Sequence, residues 1–194
     1  MACCHNMHIS HNTQSLIGPP IVAVFGCGNV LLGDDGFGPA VIEQLLQAEL
    51  PASVLALDVG TSIREHLLDY LMLPSLRPQM LIVVDAGNIE GGQPGQVRQC
   101  GPAELPAAKI HDFSLHQFPT VNLLAELQAE TGIEVVLLLA QTAALPEQVA
   151  PGLSPLMRAA VLEASAQITQ LIARMSAPHA VSFTTATTVE ATTP

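Results

Sequence analysis

The run Ile21–Cys27, all apolar or small and β-branched at its start, leads straight into a glycine-rich loop and then into an amphipathic stretch. A continuous apolar run of this length is what a strand covered on both faces looks like, and such strands belong to parallel sheets with helices packed on either side. Past the loop, Pro39 sits where a first helical turn tolerates it, and Val41, Ile42, Leu45, Leu46 and Leu50 recur at helical spacing until Pro51 stops the helix. Val54–Asp58 then reads as a second strand, Arg64–Leu73 as a second helix and Leu81–Asp85 as a third strand. The order is βαβαβ. Gly91, Gly92, Pro94 and Gly95 mark a turn before a short strand near Gln96–Cys100, which pairs antiparallel or at an edge. An irregular stretch follows to Gln117, then a helix over Phe118–Glu130, a buried strand at Glu134–Leu139, and a long last helix striped by Leu156, Ala160, Val161, Ala164, Ile168, Leu171, Ile172 and Met175. The pattern predicts an α/β domain of three layers, helices on both faces of a mostly parallel, doubly wound twisted sheet.

With 194 residues, 49% of them hydrophobic, the chain can bury one sizeable core. Aromatics make up only 3% and Trp is absent, so that core must be aliphatic. Residues 1–19 are polar and His-rich and residues 176–194 are dominated by Ser, Thr, Ala and Pro; both read as disordered tails around a domain spanning 20–175. Six Lys and Arg stand against 17 Asp and Glu, a net charge of −11, which disfavours nucleic acid and anionic membranes as partners. No apolar run approaches the ~20 residues that cross a bilayer, and no basic region followed by an apolar stretch opens the chain. The expectation is a cytoplasmic protein. Cys3, Cys4, Cys27 and Cys100 form no disulfide framework and are read as thiols.

Acidic residues fall where α/β sheets bind ligands, outside the carboxyl ends of the strands. Asp34 and Asp35 lie in the loop after the first strand, Asp58 closes the second and Asp85 the third. Any one such Asp often caps a helix or makes a turn through its own side chain. Several converging on one crevice raise each other's pKa unless a cation neutralises them, so a metal or a cationic substrate group is the natural partner. His116, just before the helix at Phe118, is placed to bring an imidazole to the carboxylates; His111 competes for that role and Asp112 is a candidate to orient either ring. Carboxylates with one imidazole suit Ni, Zn, Mn or Fe without choosing among them.

The loop Gly26–Gly38 invites a dinucleotide reading, but the glycine after Gly28 comes at Gly33, not three positions on, and Asp34 and Asp35 would face a pyrophosphate with negative charge. Cys3, Cys4, His5, His8 and His11 match no zinc spacing, and Lys109, the sole lysine, reads as solvated charge. Neither H-E-x-x-H nor G-x-S-x-G occurs, which removes the common zinc-protease and serine-hydrolase routes.

Four ordered motifs carry a resemblance: Gly26-Cys27-Gly28-Asn29 with Gly33-Asp34-Asp35-Gly36-Phe37-Gly38, then Leu57-Asp58-Val59-Gly60-Thr61, Val84-Asp85-Ala86 and Ser114-Leu115-His116-Gln117. Over Ile21 to about Ile172 the chain resembles the maturation endopeptidases of nickel-iron hydrogenases, in wording most like the branch serving coenzyme F420-reducing hydrogenases. The resemblance implies a hydrolase that removes a C-terminal extension from the hydrogenase large-subunit precursor after nickel insertion, using the nickel carried by that precursor for recognition and no organic cofactor. By motif position it implies Asp35, Asp85 and His116 as metal ligands, and Asp58 with Asp35 as catalytic candidates, the role of Asp58 lying between water activation and shaping the cleft. Asp35 stands where some family members carry Glu. The competing readings are a non-enzymatic nickel-delivery protein with the His-rich tail as antenna, and a nucleotide-binding α/β enzyme.

Overall fold

The computed structural model describes residues 18–89, 91–104, 120–143, 145–146 and 148–176. Its strands are β1 (Val22–Cys27), β2 (Val54–Gly60), β3 (Met80–Gly87), β4 (Val97–Cys100) and β5 (Glu134–Gln141); its helices are α1 (Phe37–Leu46), α2 (Ile63–Met72), α3 (Thr120–Thr131) and α4 (Pro155–Ser176). Among the described residues the sheet order is β2-β1-β3-β5-β4, with β4 alone antiparallel, so the strand placed near Gln96 takes the edge position its turn-bound sequence suits.

Strand alternation builds two cores. Val22, Val24, Val54, Met80, Ile82 and Val84 face α1 and α4, whereas Ala23, Phe25, Leu81, Val83, Leu137 and Leu139 face α2 and α3. The sheet is thus covered on both sides, which is why β1 and β3 are apolar at every position. Close approach of α1 to the sheet depends on missing side chains. A Cβ on Gly38 would strike the backbone of Cys27 and Val84, and one on Gly26 would strike the Gly38 carbonyl and Ile42. The first helical turn therefore lies directly on the ends of β1 and β3.

Several boundaries differ from the sequence expectation. Helix α1 ends at Leu46, five residues before Pro51, because the Gln47 and Ala48 amides turn back to the Gln44 and Leu45 carbonyls in a tighter turn. Leu50 still packs on the core, from outside the helix. Strands β2 and β3 each run two residues past Asp58 and Asp85, so these acids lie within strands instead of closing them. On α4, Leu156 is exposed and Met157 takes the buried position. Among the described residues no helix is long and apolar enough to cross a membrane.

Candidate active site

The glycine-rich loop folds back on itself after β1. Gly28 adopts φ +127°, and a Cβ there would overlap the Asp35 carbonyl, so only glycine lets the loop close against the 3-10 turn Gly33–Gly36. That turn separates two neighbouring acids. Asp34, also buried, accepts the Ser154 amide at 2.6 Å, tying the loop to the start of α4, where the Ser154 hydroxyl in turn accepts the Met157 amide at 3.2 Å. Asp35 is fully buried, and its Oδ2 accepts the Asn29 amide at 2.9 Å.

Asp85 lies beside it. Its side chain is 1% exposed, Oδ1 accepts its neighbour Ala86's amide at 2.9 Å, and Oδ2 is buried with no hydrogen bond among the described residues. Burial chiefly, and the nearby Asp35 charge in addition, outweigh the Ala86 amide and push the Asp85 carboxyl up to about 8. At neutral pH Asp85 therefore holds a proton where a cation would put positive charge, and an oxygen without a hydrogen bond in a buried carboxyl group is a position for a ligand bond. The donor set of two carboxylates fits a divalent cation supplied with further ligands from elsewhere. Among the described residues no set of three His, Cys, Asp or Glu is grouped for a metal. His116, His111 and Asp112 lie outside the described residues.

Asp58 is placed differently. It shares its sheet face with Val54 and Ala56, on the α1 side, whereas Asp85 shares its face with Leu81 and Val83 on the other. It is exposed, its Oδ1 accepts the Gly60 amide at 2.9 Å in a two-residue turn, and it lines a groove of about 490 Å³ with Gly33, Gly36, Ile42, Leu46 and Leu153. Of the four acids read from the sequence, the fold buries Asp35 and Asp85 together, leaves Asp58 at the open rim and gives Asp34 a structural bond.

Cys27 is buried between these groups. Desolvation first, then the Asp85 and Asp58 charges, raise its thiol well above the usual range, so it is inert and not a nucleophile. Five of the loop amides are also spoken for: Gly28 donates to Gly60 O, Asn29 to Asp35, Leu31 to Asn29 Oδ1, Leu32 to Asn29 O and Asp35 to Leu32 O. These bonds occupy several of the donors a phosphate would need, and the buried acids Asp34 and Asp35 beside them oppose an anion.

One further residue shapes the site without a motif to mark it. Gln141, closing β5, accepts the Ile89 amide at 2.5 Å and donates to Thr142 O and Asn88 Oδ1, pinning the loop that leaves β3 just past Asp85. An amide at the end of the apolar run Val135–Ala140 was the available sign.

A family model for hydrogenase maturation proteases matches residues 39–171. The chain is 32% identical over 150 residues to the hydrogenase 2 maturation protease of Escherichia coli, covering 76% of this chain and 87% of that one. It is 33% identical over 119 residues to the coenzyme F420 hydrogenase subunit delta of Methanothermobacter thermautotrophicus, covering 59% and 72%. In fold it is similar to the crystal structure of a [NiFe] hydrogenase maturation protease from Thermococcus kodakarensis, with a TM-score of 0.62 at 22% identity, over 80% of this chain and 94% of that one.

Proposed function

The chain belongs to the hydrogenase maturation protease family, a family of peptidases, and from that premise we propose that it removes the C-terminal extension of a nickel-iron hydrogenase large-subunit precursor once nickel is in place. The observation that carries this reading is the buried Asp35–Asp85 pair, with one Asp85 oxygen free of hydrogen bonds among the described residues. Nickel in this reading is part of the substrate. Asp35, Asp85 and His116 complete its coordination, and the proton held by Asp85 leaves as the metal arrives. A precursor without nickel offers nothing to displace that proton, so the chemistry of the pair itself discriminates loaded from unloaded substrate.

Hydrolysis adds water to the scissile carbonyl, breaks the C–N bond and returns a proton to the departing amine. Asp58, at the open rim of the groove, is the carboxylate with access to a water beside the bound peptide, and takes the role of general base; Asp35 acts from the metal side by holding the nickel against the scissile segment. The peptidase works in the cytoplasm, without an organic cofactor and without nucleic acid or membrane partners. The test is a set of variants, Asp35→Asn, Asp85→Asn and His116→Ala, each scored for precursor processing and for thermal unfolding. Each abolishes processing while the domain stays folded; near-normal cleavage by His116→Ala moves the third ligand to His111.

A further inference from the structure

We propose that the outer edge of β2 is the docking strand for the C-terminal extension of the precursor, which binds as an added strand running antiparallel to β2; the proposal rests on the peptidase reading above. Among the described residues, the sheet order leaves β2 at one end, hydrogen-bonded to β1 alone. Exposed edges are usually blunted by Lys, by Pro or by shortness. Strand β4, at the other end, has four residues, two of them exposed, with Arg98 among those two. Strand β2 has seven, Val-Leu-Ala-Leu-Asp-Val-Gly, and carries neither Lys nor Pro; Leu55, Ala56 and Leu57 are only half-buried. The Ser53 carbonyl accepts the Ile21 and Val22 amides and the Val54 amide turns to Pro51 O. Alternation along a parallel ladder then directs Leu55 and Leu57 to β1 and leaves the Ala56 N–H and C=O facing outward.

Two grooves flank this edge, one on each sheet face. On the α1 side lies the groove of about 490 Å³ that reaches Asp58, walled by Ile42, Glu43 and Leu46. On the α2 side lies one of about 580 Å³, walled by Leu55, Leu57, His66, Asp69 and Tyr70, with Phe25 stacked against Tyr70 at its base. A strand laid along β2 sends alternate side chains into these two grooves, the arrangement by which peptides added to sheet edges are recognised. The direction follows from the site. The C-terminal end of β2 adjoins the glycine-rich loop through the Gly28–Gly60 hydrogen bond, so a scissile bond held near Asp58 leaves the downstream extension to run back toward Val54. A second copy is the poorer occupant, because edge pairing would bring Glu43, Asp58 and Asp69 of two chains, each of net charge −11, against one another.

The experiment is amide hydrogen exchange on the wild-type protease with excess nickel-loaded precursor, against the same precursor lacking its extension, alongside steady-state processing by wild type and Ala56→Pro. Proline at 56 removes an outward donor while sparing the bonds to β1. Exchange over residues 54–58 is expected to slow by about tenfold or more only when the extension is present. Ala56→Pro, folded by thermal unfolding, is expected to raise KM by about tenfold with kcat within about twofold. Cleavage of the precursor, with free-rate exchange over 54–58 while uncleaved precursor is still in saturating excess, overturns the docking and leaves the peptidase reading standing. Extension-dependent protection without cleavage supports the docking and sinks the peptidase reading instead. Protection already present without precursor, with a doubled solution mass, assigns the edge to a second copy and overturns the proposal, as does an unaltered KM in a folded Ala56→Pro.

Discussion

Asp85 is the residue on which stability and function pull apart. Its folded carboxyl titrates near 8 while an unfolded one titrates near 3.8, so between those values the folded chain holds a proton that the unfolded chain has released. Stability from this group is full below the lower value, declines as pH rises through the window, and levels off above about 8. Asp85→Asn is accordingly expected to stabilise the metal-free protein by about 1–3 kcal/mol at pH 8, with the gain vanishing near pH 4, while abolishing processing. Thermal unfolding of both proteins across that range checks it; a destabilised Asn variant at pH 8 contradicts the assignment. The neighbouring acids give a contrast. Asp34→Ala loses the bond to the Ser154 amide and should cost about 1–3 kcal/mol of stability while retaining much of the activity, whereas Asp35→Asn should do the reverse. For Cys27, burial and the nearby carboxylates mean that alkylation of the folded protease, quenched before precursor is added, leaves processing intact.

At the scale of elements, Gly28→Ala forces a side chain onto the Asp35 carbonyl at a left-handed position, and should lower processing by about 100-fold or more together with the unfolding midpoint. The elements themselves were largely legible. Strands buried on both faces leave unbroken apolar runs at Val22–Cys27 and Met80–Val84, and the α4 stripe keeps its period because one face of that helix packs throughout. What could not be read was local. Nothing in Asp34-Asp35 says which acid bonds Ser154 and which bonds Asn29, since a 3-10 turn decides it; nothing in the spacing places Asp58 and Asp85 on opposite sheet faces, since that depends on which face Val54 and Leu81 each take. Gln141 was silent because its partners, Asn88, Ile89 and Thr142, assemble only once β5 lies beside β3.

For the whole molecule, the strand-end acids and the family motifs pointed to a candidate site, and the fold added what the sequence lacked: the burial that raises the Asp85 carboxyl and the open position of Asp58. A net charge of −11 gives no general steering toward acidic partners, so recognition is concentrated in the few groups at the strand ends. The most direct test is intact mass of a cognate large-subunit precursor after incubation with the purified protein, nickel-loaded and nickel-free in parallel. Loss of a C-terminal fragment from the loaded form alone is the expected result. Equal cleavage of both forms would contradict the role given to nickel, and cleavage of neither would contradict the peptidase assignment itself.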